Sequence, residues 1–297
     1  MQQKKLFRNL FVILAGLFVV YLGGCYYLAK DYVSPKRRIS KKPPAPILDT
    51  KIEGPGYQLP VWISPALAKG EPTSKNVYVF IHGYKSARER WLPVVEQMLE
   101  KEQEFVTVAM RGHDTNPIGC SSFGVHETKE VLSAVKWVKG QYIEKKPNII
   151  LVGLSLGTSS CWRAAQQDPS IAAVVADSGF ANLSEATTLW LEREFTGAST
   201  ILKPMIWMAE AMCGVKTKDV VPEKTALAWK GKTALVIHGD SDDLFGTTHA
   251  ERLAKAAGCE MWIVKGAGHG DCEKVNMTGY IEKLLEIGKR VNNSLNS

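Results

Sequence analysis

From Val77 onward, short apolar stretches alternate with longer ones in which apolar positions recur every three or four residues. Val77-Tyr78-Val79-Phe80-Ile81, Asn148-Ile149-Ile150-Leu151-Val152, Ala172–Ala176, Thr233–Ile237 and Glu260–Val264 read as strands buried on both faces. Helical spacing fits Arg88–Glu102, Thr128–Gln141, Thr158–Gln167, His249–Ala257 and Thr278–Val291. Glu127 and Glu130 suit the positive N-terminal end of the second of these helices and need no catalytic explanation. The alternation predicts an α/β fold, a mostly parallel sheet flanked by helices on both faces. Ahead of it, Ile47–Ser64 holds two strand-like pieces around Gly54-Pro55-Gly56, a hairpin leading into the sheet.

The pattern breaks in two places. Between Leu183 and about Trp229, two helices carry Trp190, Met205, Trp207, Met208 and Met212. They either pack on the sheet edge or form a short helical lid (183–229) whose apolar face lines an acyl pocket. The second break is Asn9–Ala29, 21 residues without a charge or a polar face. At about 1.5 Å per residue it spans roughly 30 Å, a bilayer's hydrocarbon thickness, so residues 1–30 are expected to be a membrane anchor. Leu22-Gly23-Gly24-Cys25 resembles a lipoprotein processing site, but apolar residues continue past Cys25, which favours an uncleaved single-pass helix. Orientation is contested. Six basic residues closely follow the span and three precede it, which by positive-inside counting places the domain in the cytoplasm. A short basic N-terminus normally stays inside, and this favours an extracytoplasmic domain.

Charge refines the division of the chain. The net charge of +7 suggests nucleic-acid binding until it is located. Residues 1–42 hold nine Lys/Arg against a single acid, Asp31, leaving 28 basic and 29 acidic residues in the rest. The excess sits beside the anchor, so no nucleic-acid partner is expected. Residues 31–46, basic and Pro-rich, read as an extended, solvated linker, and 47–297 as the catalytic domain. Deleting residues 1–45 is then expected to leave a soluble, active protein. The six cysteines show no C-x-x-C spacing, and five remain when Cys25 is set aside. They read as neither a metal site nor a disulfide framework.

The chemistry centres on Gly153-Leu154-Ser155-Leu156-Gly157, which lies between a buried strand and a helix. A serine on so tight a turn needs glycines two residues before and after it, and its hydroxyl then projects above the sheet. Acyl transfer also needs N–H donors aimed at the developing oxyanion. Leu156 supplies one, and Tyr84 a second, in the His82-Gly83-Tyr84 stretch where Gly83 frees the backbone. His82 itself reads as structural. A base must take the serine proton, and a carboxylate must hold that base. His269 follows the last strand, and acids follow the strand before it.

With "IHGY", "MRGHD", "GLSLG", "ADSGF", "IHGDSDD" and "GAGHGD" in this order, the chain resembles the α/β-hydrolase superfamily over about 52–287. That resemblance implies the α/β-hydrolase fold and a Ser155–His269–acid triad without cofactor or metal. The family's H-G-x-x-D-x-x-apolar pattern, read from His238, points to Asp242, with Asp243, Asp240 and Asp177 still open. "AMRGHDTN" at 109–116 departs from the usual D-x-R-G-H-G-x-S and leaves that loop's role undefined. The chain looks most like bacterial membrane-associated serine hydrolases, themselves similar to serine aminopeptidases and bile-acid acyltransferase-like esterases. The implied activity is cleavage of a small ester, thioester or amide, carboxylesterase-like, through an acyl-enzyme. An acyltransferase, an aminopeptidase-like enzyme and a non-catalytic binding protein on the same fold are the alternatives.

Overall fold

The computed structural model describes residues 2–142 and 146–294. In chain order the elements are α1 (Gln2–Val33), β1 (Leu48–Glu53), β2 (Gln58–Ile63), α2 (Pro65–Ala68), β3 (Asn76–Ile81) and α3 (Leu92–Glu100). Then come β4 (Glu104–Val108), α4 (Glu127–Gly140), β5 (Asn148–Leu154), α5 (Leu156–Gln167), β6 (Ile171–Asp177), α6 (Leu183–Glu194), α7 (Lys203–Cys213) and α8 (Pro222–Leu227). The chain closes with β7 (Thr233–Gly239), α9 (Gly246–Ala257), β8 (Glu260–Val264), α10 (Cys272–Val275) and α11 (Met277–Ser294).

One eight-stranded sheet runs β1-β2-β4-β3-β5-β6-β7-β8. The hairpin β1–β2 and the β2–β4 pair are antiparallel, and every later pair is parallel. Side chains alternate across the strands, so each face has its own core. Val79, Ile81, Val131, Trp162 and Leu253 pack on one face; Tyr78, Phe80, Trp91, Tyr280 and Leu284 pack on the other. The sheet brings the C-terminal ends of β3, β5, β7 and β8 to one edge, where ligands of open α/β sheets bind. The helix expected at 88–102 begins instead as a 3₁₀ turn over Arg88–Trp91 and becomes α-helical at Leu92. Pro93 sits in that first α-helical turn, where its missing N–H costs nothing.

The linker expectation needs correction. Residues 34–46 form no helix or strand, yet they are fastened to the domain. The Arg37 guanidinium donates to the Asn116 and Ile118 carbonyls at 2.5 and 2.8 Å. Ser121 N–H donates to the Val33 carbonyl at 2.7 Å. Ser40 donates from backbone and hydroxyl to the buried Asp114 carboxylate, at 3.1 and 2.7 Å. A basic run reads as solvated because its acceptors, here loop carbonyls some eighty residues away, have no local signature.

Asp114 also gives the 109–116 loop a structural role. Its Oδ2 accepts from Arg88 Nε at 2.8 Å, and Arg88 reaches Asp49 at 2.9 Å. Burial alone would raise the Asp114 pKa, but Arg88 and Ser40 outweigh it and lower it to about 2. A carboxylate depressed on folding stabilises the protein above its ordinary pKa, and that contribution is lost as pH falls through the folded value. Acid titration of stability should therefore show a loss of about 2 kcal/mol between pH 4 and pH 2 from this group. Asp114→Asn is expected to flatten the unfolding curve over that interval. An unchanged slope would show that Asp114 contributes nothing there.

Candidate active site

Ser155 sits between β5 and α5 at φ 50°, ψ −113°, a left-handed conformation costly for a residue with a side chain. Its neighbours make the turn possible. A Cβ on Gly153 would stand 2.7 Å from the Thr158 nitrogen, and one on Gly157 2.5 Å from the Ile81 carbonyl oxygen. Neither clash is tolerable against backbone, so both positions require glycine. Ser155 N–H is tied to the Asp177 carbonyl at 2.8 Å, which fastens the turn to β6.

His269, in the loop after β8, places Nε2 2.9 Å from Ser155 Oγ. Its Nδ1 lies 2.8 Å from Asp242 Oδ2. An ionised carboxylate only accepts, so Nδ1 carries the proton and Nε2 offers its lone pair to the serine hydroxyl. Asp242 Oδ1 in turn accepts the N–H groups of Leu244 and Phe245 at 2.9 and 3.0 Å. Burial works to raise the Asp242 pKa; the His269 hydrogen bond and charge, with the Phe245 N–H, more than offset this and hold it below the ordinary value. Asp242 therefore stays ionised at neutral pH.

Of the four acids left open by the sequence, Asp242 is the one hydrogen-bonded to His269. Asp243 points outward to Arg193 at 3.2 Å, and Asp240 accepts from Gly266 N–H at 2.6 Å. Asp177 is fully buried and accepts from Ser178 Oγ at 2.9 Å and Tyr280 Oη at 3.0 Å. Burial and the nearby Glu273 push it up to about 6.

The loop after β3 lies against the elbow. A Cβ on Gly83 would stand 3.3 Å from both the Ser155 Cβ and the Leu154 carbonyl oxygen. The Tyr84 N–H belongs to the peptide that follows Gly83, and Leu156 opens α5, where first-turn N–H groups have no intrahelical acceptor. Both flank the serine.

The sequence profile of the Alpha/beta hydrolase family matches residues 78–274. The chain belongs to the alpha/beta hydrolase family. Its fold is similar to the esterase Pf2001 of Pyrococcus furiosus, with 21% identity and a TM-score of 0.71 over 87% of this chain and 99% of that one. It is also similar to the alpha/beta hydrolase GrgF from Penicillium sp. sh18 (17%, TM-score 0.61, 82% and 98%). A third likeness is to Est1E from Butyrivibrio proteoclasticus (17%, TM-score 0.59, 80% and 98%). No curated protein sequence matches significantly.

Several contacts that complete the site of this alpha/beta hydrolase were not legible in its sequence, where His238 and Phe245 are only pattern positions around Asp242 and Ser178 carries no signal of its own. Ser178, itself at φ 52°, accepts Gly270 N–H at 3.1 Å and so supports the His269 loop. The Phe245 ring stands edge-on to the His269 ring, 4.9 Å between centroids. His238 is fully buried beneath the acid, with Nε2 3.2 Å from Asp242 Oδ2 but outside hydrogen-bond geometry. Burial lowers its pKa and keeps it neutral. "ADSGF" and "IHGD" marked these neighbourhoods, but not which atoms meet.

The 183–229 segment divides. α8 packs on α5 and α9 and belongs to the main body of the hydrolase. α6 and α7 cover the site: Leu183, Ala186, Leu191, Met205 and Ala209 share one apolar cluster with Leu156, Phe180 and Tyr84. Trp190 is part of that cluster, its ring 4.8 Å from that of Tyr32. Trp207, expected beside it, is 64% exposed and outside that cluster. Tyr32 was hidden in the sequence, because it follows Lys30-Asp31 and so read as the start of a solvated linker, whereas α1 continues through it to Val33. Its hydroxyl meets Thr187 Oγ1 at 3.0 Å, its carbonyl accepts from Tyr84 Oη at 2.9 Å, and its ring stacks on Phe123.

Proposed function

We propose that this chain is a membrane-anchored serine hydrolase acting on small or single-chain acyl esters, with thioesters and amides within the same chemistry. The relay Asp242–His269–Ser155 at the top of a strained elbow carries the reading. Ser155 Oγ attacks the acyl carbonyl while its proton passes to His269 Nε2. The N–H groups of Tyr84 and Leu156 hold the oxyanion, and ionised Asp242 stabilises the imidazolium. Collapse of the tetrahedral intermediate breaks the bond to the leaving group, which takes the proton from His269. Water, deprotonated by the same histidine, then attacks the acyl-enzyme and releases the acid. α1, long and apolar enough to cross a bilayer, would be the anchor.

Covalent labelling of the intact protein by a fluorophosphonate, mapped to Ser155, tests the nucleophile. Activity across p-nitrophenyl esters of increasing chain length, with peptides beside them, tests the substrate class. Short to medium esters should be cleaved faster than long-chain triglycerides, since two lid helices make a narrow wall and not a large cap. Trp190→Ala should change chain-length preference more than acetate turnover, whereas exposed Trp207→Ala should leave that preference unaltered. Efficient peptide cleavage with esters nearly untouched would overturn the esterase reading.

His82 acts as a positioning residue in this scheme. Its Nδ1–H donates to the Gly83 carbonyl at 2.9 Å, and its Nε2 accepts Met110 N–H at 3.2 Å. Burial, and then the neighbouring His113, lower its pKa to about 3, so it remains neutral. Pinning the Gly83 carbonyl orients the Tyr84 N–H on the other side of the same planar peptide. His82→Phe should lower kcat about ten- to a hundredfold with KM little changed, because the donor matters most in the transition state. Equal losses in binding and turnover would point to general damage to the fold.

A further inference from the structure

α1 is nearly 50 Å long at about 1.5 Å per residue, more than a bilayer core requires. Its last turns are committed elsewhere: Cys25, Ala29, Tyr32 and Val33 are buried against the lid. The two helices run side by side in the same direction. α1 packs along α7: Tyr21 Oη donates to the Ile201 carbonyl at one end, and Tyr32 and Val33 share one buried apolar cluster with Cys213 at the other. Residues about 180 apart therefore share a height. Cys25, Ala29 and Val33 on α1 correspond in level to Met205, Ala209 and Cys213, the buried face of α7.

This register acts as a depth gauge. A span of about twenty residues beginning at Leu6, just after Lys4 and Lys5, ends near Cys25; one beginning at Asn9 ends near Leu28. Either placement puts Tyr21, and Ile201 beside it, roughly 6 to 10 Å inside the hydrocarbon. The lid tip suits that environment. Phe195–Leu202 carries no charge, and Ile201 is 61% exposed. Backbone N–H groups of the tip are paired within the lid, Ala198 and Leu202 with the Phe195 and Ala198 carbonyls and Gly197 and Ser199 with the Glu192 carboxylate, whose oxygens are taken up by the tip's own backbone. Trp207 falls at the level of Tyr26 and Tyr27, and all three are exposed, an aromatic ring at the height where a leaflet meets water. Exposed Lys30, Lys36, Arg38, Lys41 and Lys42 lie beyond it, in or after the last turn of α1, on the headgroup side. Lys203, exposed above the aromatic level, has a stem long enough to return its charge to that side.

We propose that the lid tip, Phe195–Leu202 with the first turns of α7, is a second membrane contact, sunk in the leaflet that α1 enters. The proposal rests on α1 crossing the bilayer. It places the apolar cluster over Ser155 in continuity with the acyl layer, since that cluster extends from Leu156 to Tyr21 and Ile206.

Full-length protein in phosphatidylcholine vesicles containing a phosphatidylcholine with a diazirine in its acyl chain tests this. After illumination, lipid adducts are mapped by peptide mass spectrometry. Adducts are expected on 6–20 and on 195–208, each about tenfold or more above peptides around the exposed apolar residues Leu227 and Val275. Replacing Ile201 and Trp207 together by Glu should remove the lid adducts and spare those on 6–20. Adducts on 6–20 with the lid at control level would overturn the proposal and leave the anchor intact. Control-level labelling of 6–20 would remove the anchor reading and the proposal together.

Discussion

Ser155→Ala is expected to abolish turnover and fluorophosphonate labelling while leaving the thermal unfolding temperature nearly unchanged. The hydroxyl projects from a turn held by backbone contacts, so its loss removes the attacking atom without removing packing. His269→Ala should be almost as severe, because among the described residues it is the base hydrogen-bonded to Oγ and the members of such a unit are not additive. Asp242→Asn keeps the shape but cannot accept from Nδ1–H as a carboxylate does, so the imidazole turns to the wrong tautomer. A loss of about a thousandfold or more is expected there. Asp240→Asn and Asp243→Asn should cost little, and Asp177→Asn should lower stability more than turnover. Ordinary turnover by the Ser155→Ala protein would end the serine hydrolase reading. A dominant loss at Asp243 would contradict the observed relay geometry.

The second large effect concerns where the chain can be cut. Deleting residues 1–20 should leave a folded, active enzyme, because Leu6 to Val20 touch little of the domain. Deleting 1–45, which the sequence suggested as the clean boundary, should not. It strips Cys25, Ala29, Tyr32 and Val33 from the cluster over the site and exposes Phe123, Trp190 and Leu191. It also removes Arg37 from two loop carbonyls and Ser40 from Asp114. Burial of large apolar side chains contributes about 1.5–3 kcal/mol each, so roughly 5 kcal/mol is at stake in a domain stabilised by about 5–15. The longer deletion should melt at least about 10 °C below the shorter one and lose activity through the freed Tyr84 loop. Equal melting temperatures would mean that the last turns of α1 contribute nothing to the domain.

The sequence by itself determined seven of the eight strands, the elbow and the histidine that meets it; β4, Glu104–Val108, carries too short and too mixed a pattern and was not read. These depend on local patterns: five-residue apolar runs make buried strands, glycines two either side of a serine make the turn, and His269 follows the last strand. Each signal lies within about ten residues of what it specifies. The tertiary structure decided whatever depends on partners far along the chain. Asp240, Asp242 and Asp243 differ little in sequence context; the turn after β7 aims one at His269 and another at solvent. Trp190 and Trp207 look alike in an apolar segment, yet one is half-buried in the cluster over the site and the other is exposed. Basic residues after α1 read as solvated until the carbonyls of Asn116 and Ile118 close around Arg37. Cys25 and Ala29 close an apolar span with the composition of a membrane helix, and only the matching face of α7, some 180 residues away, makes them part of the wall over Ser155. Periodicity specifies which face of an element is apolar; what that face meets is set when the chain closes on itself.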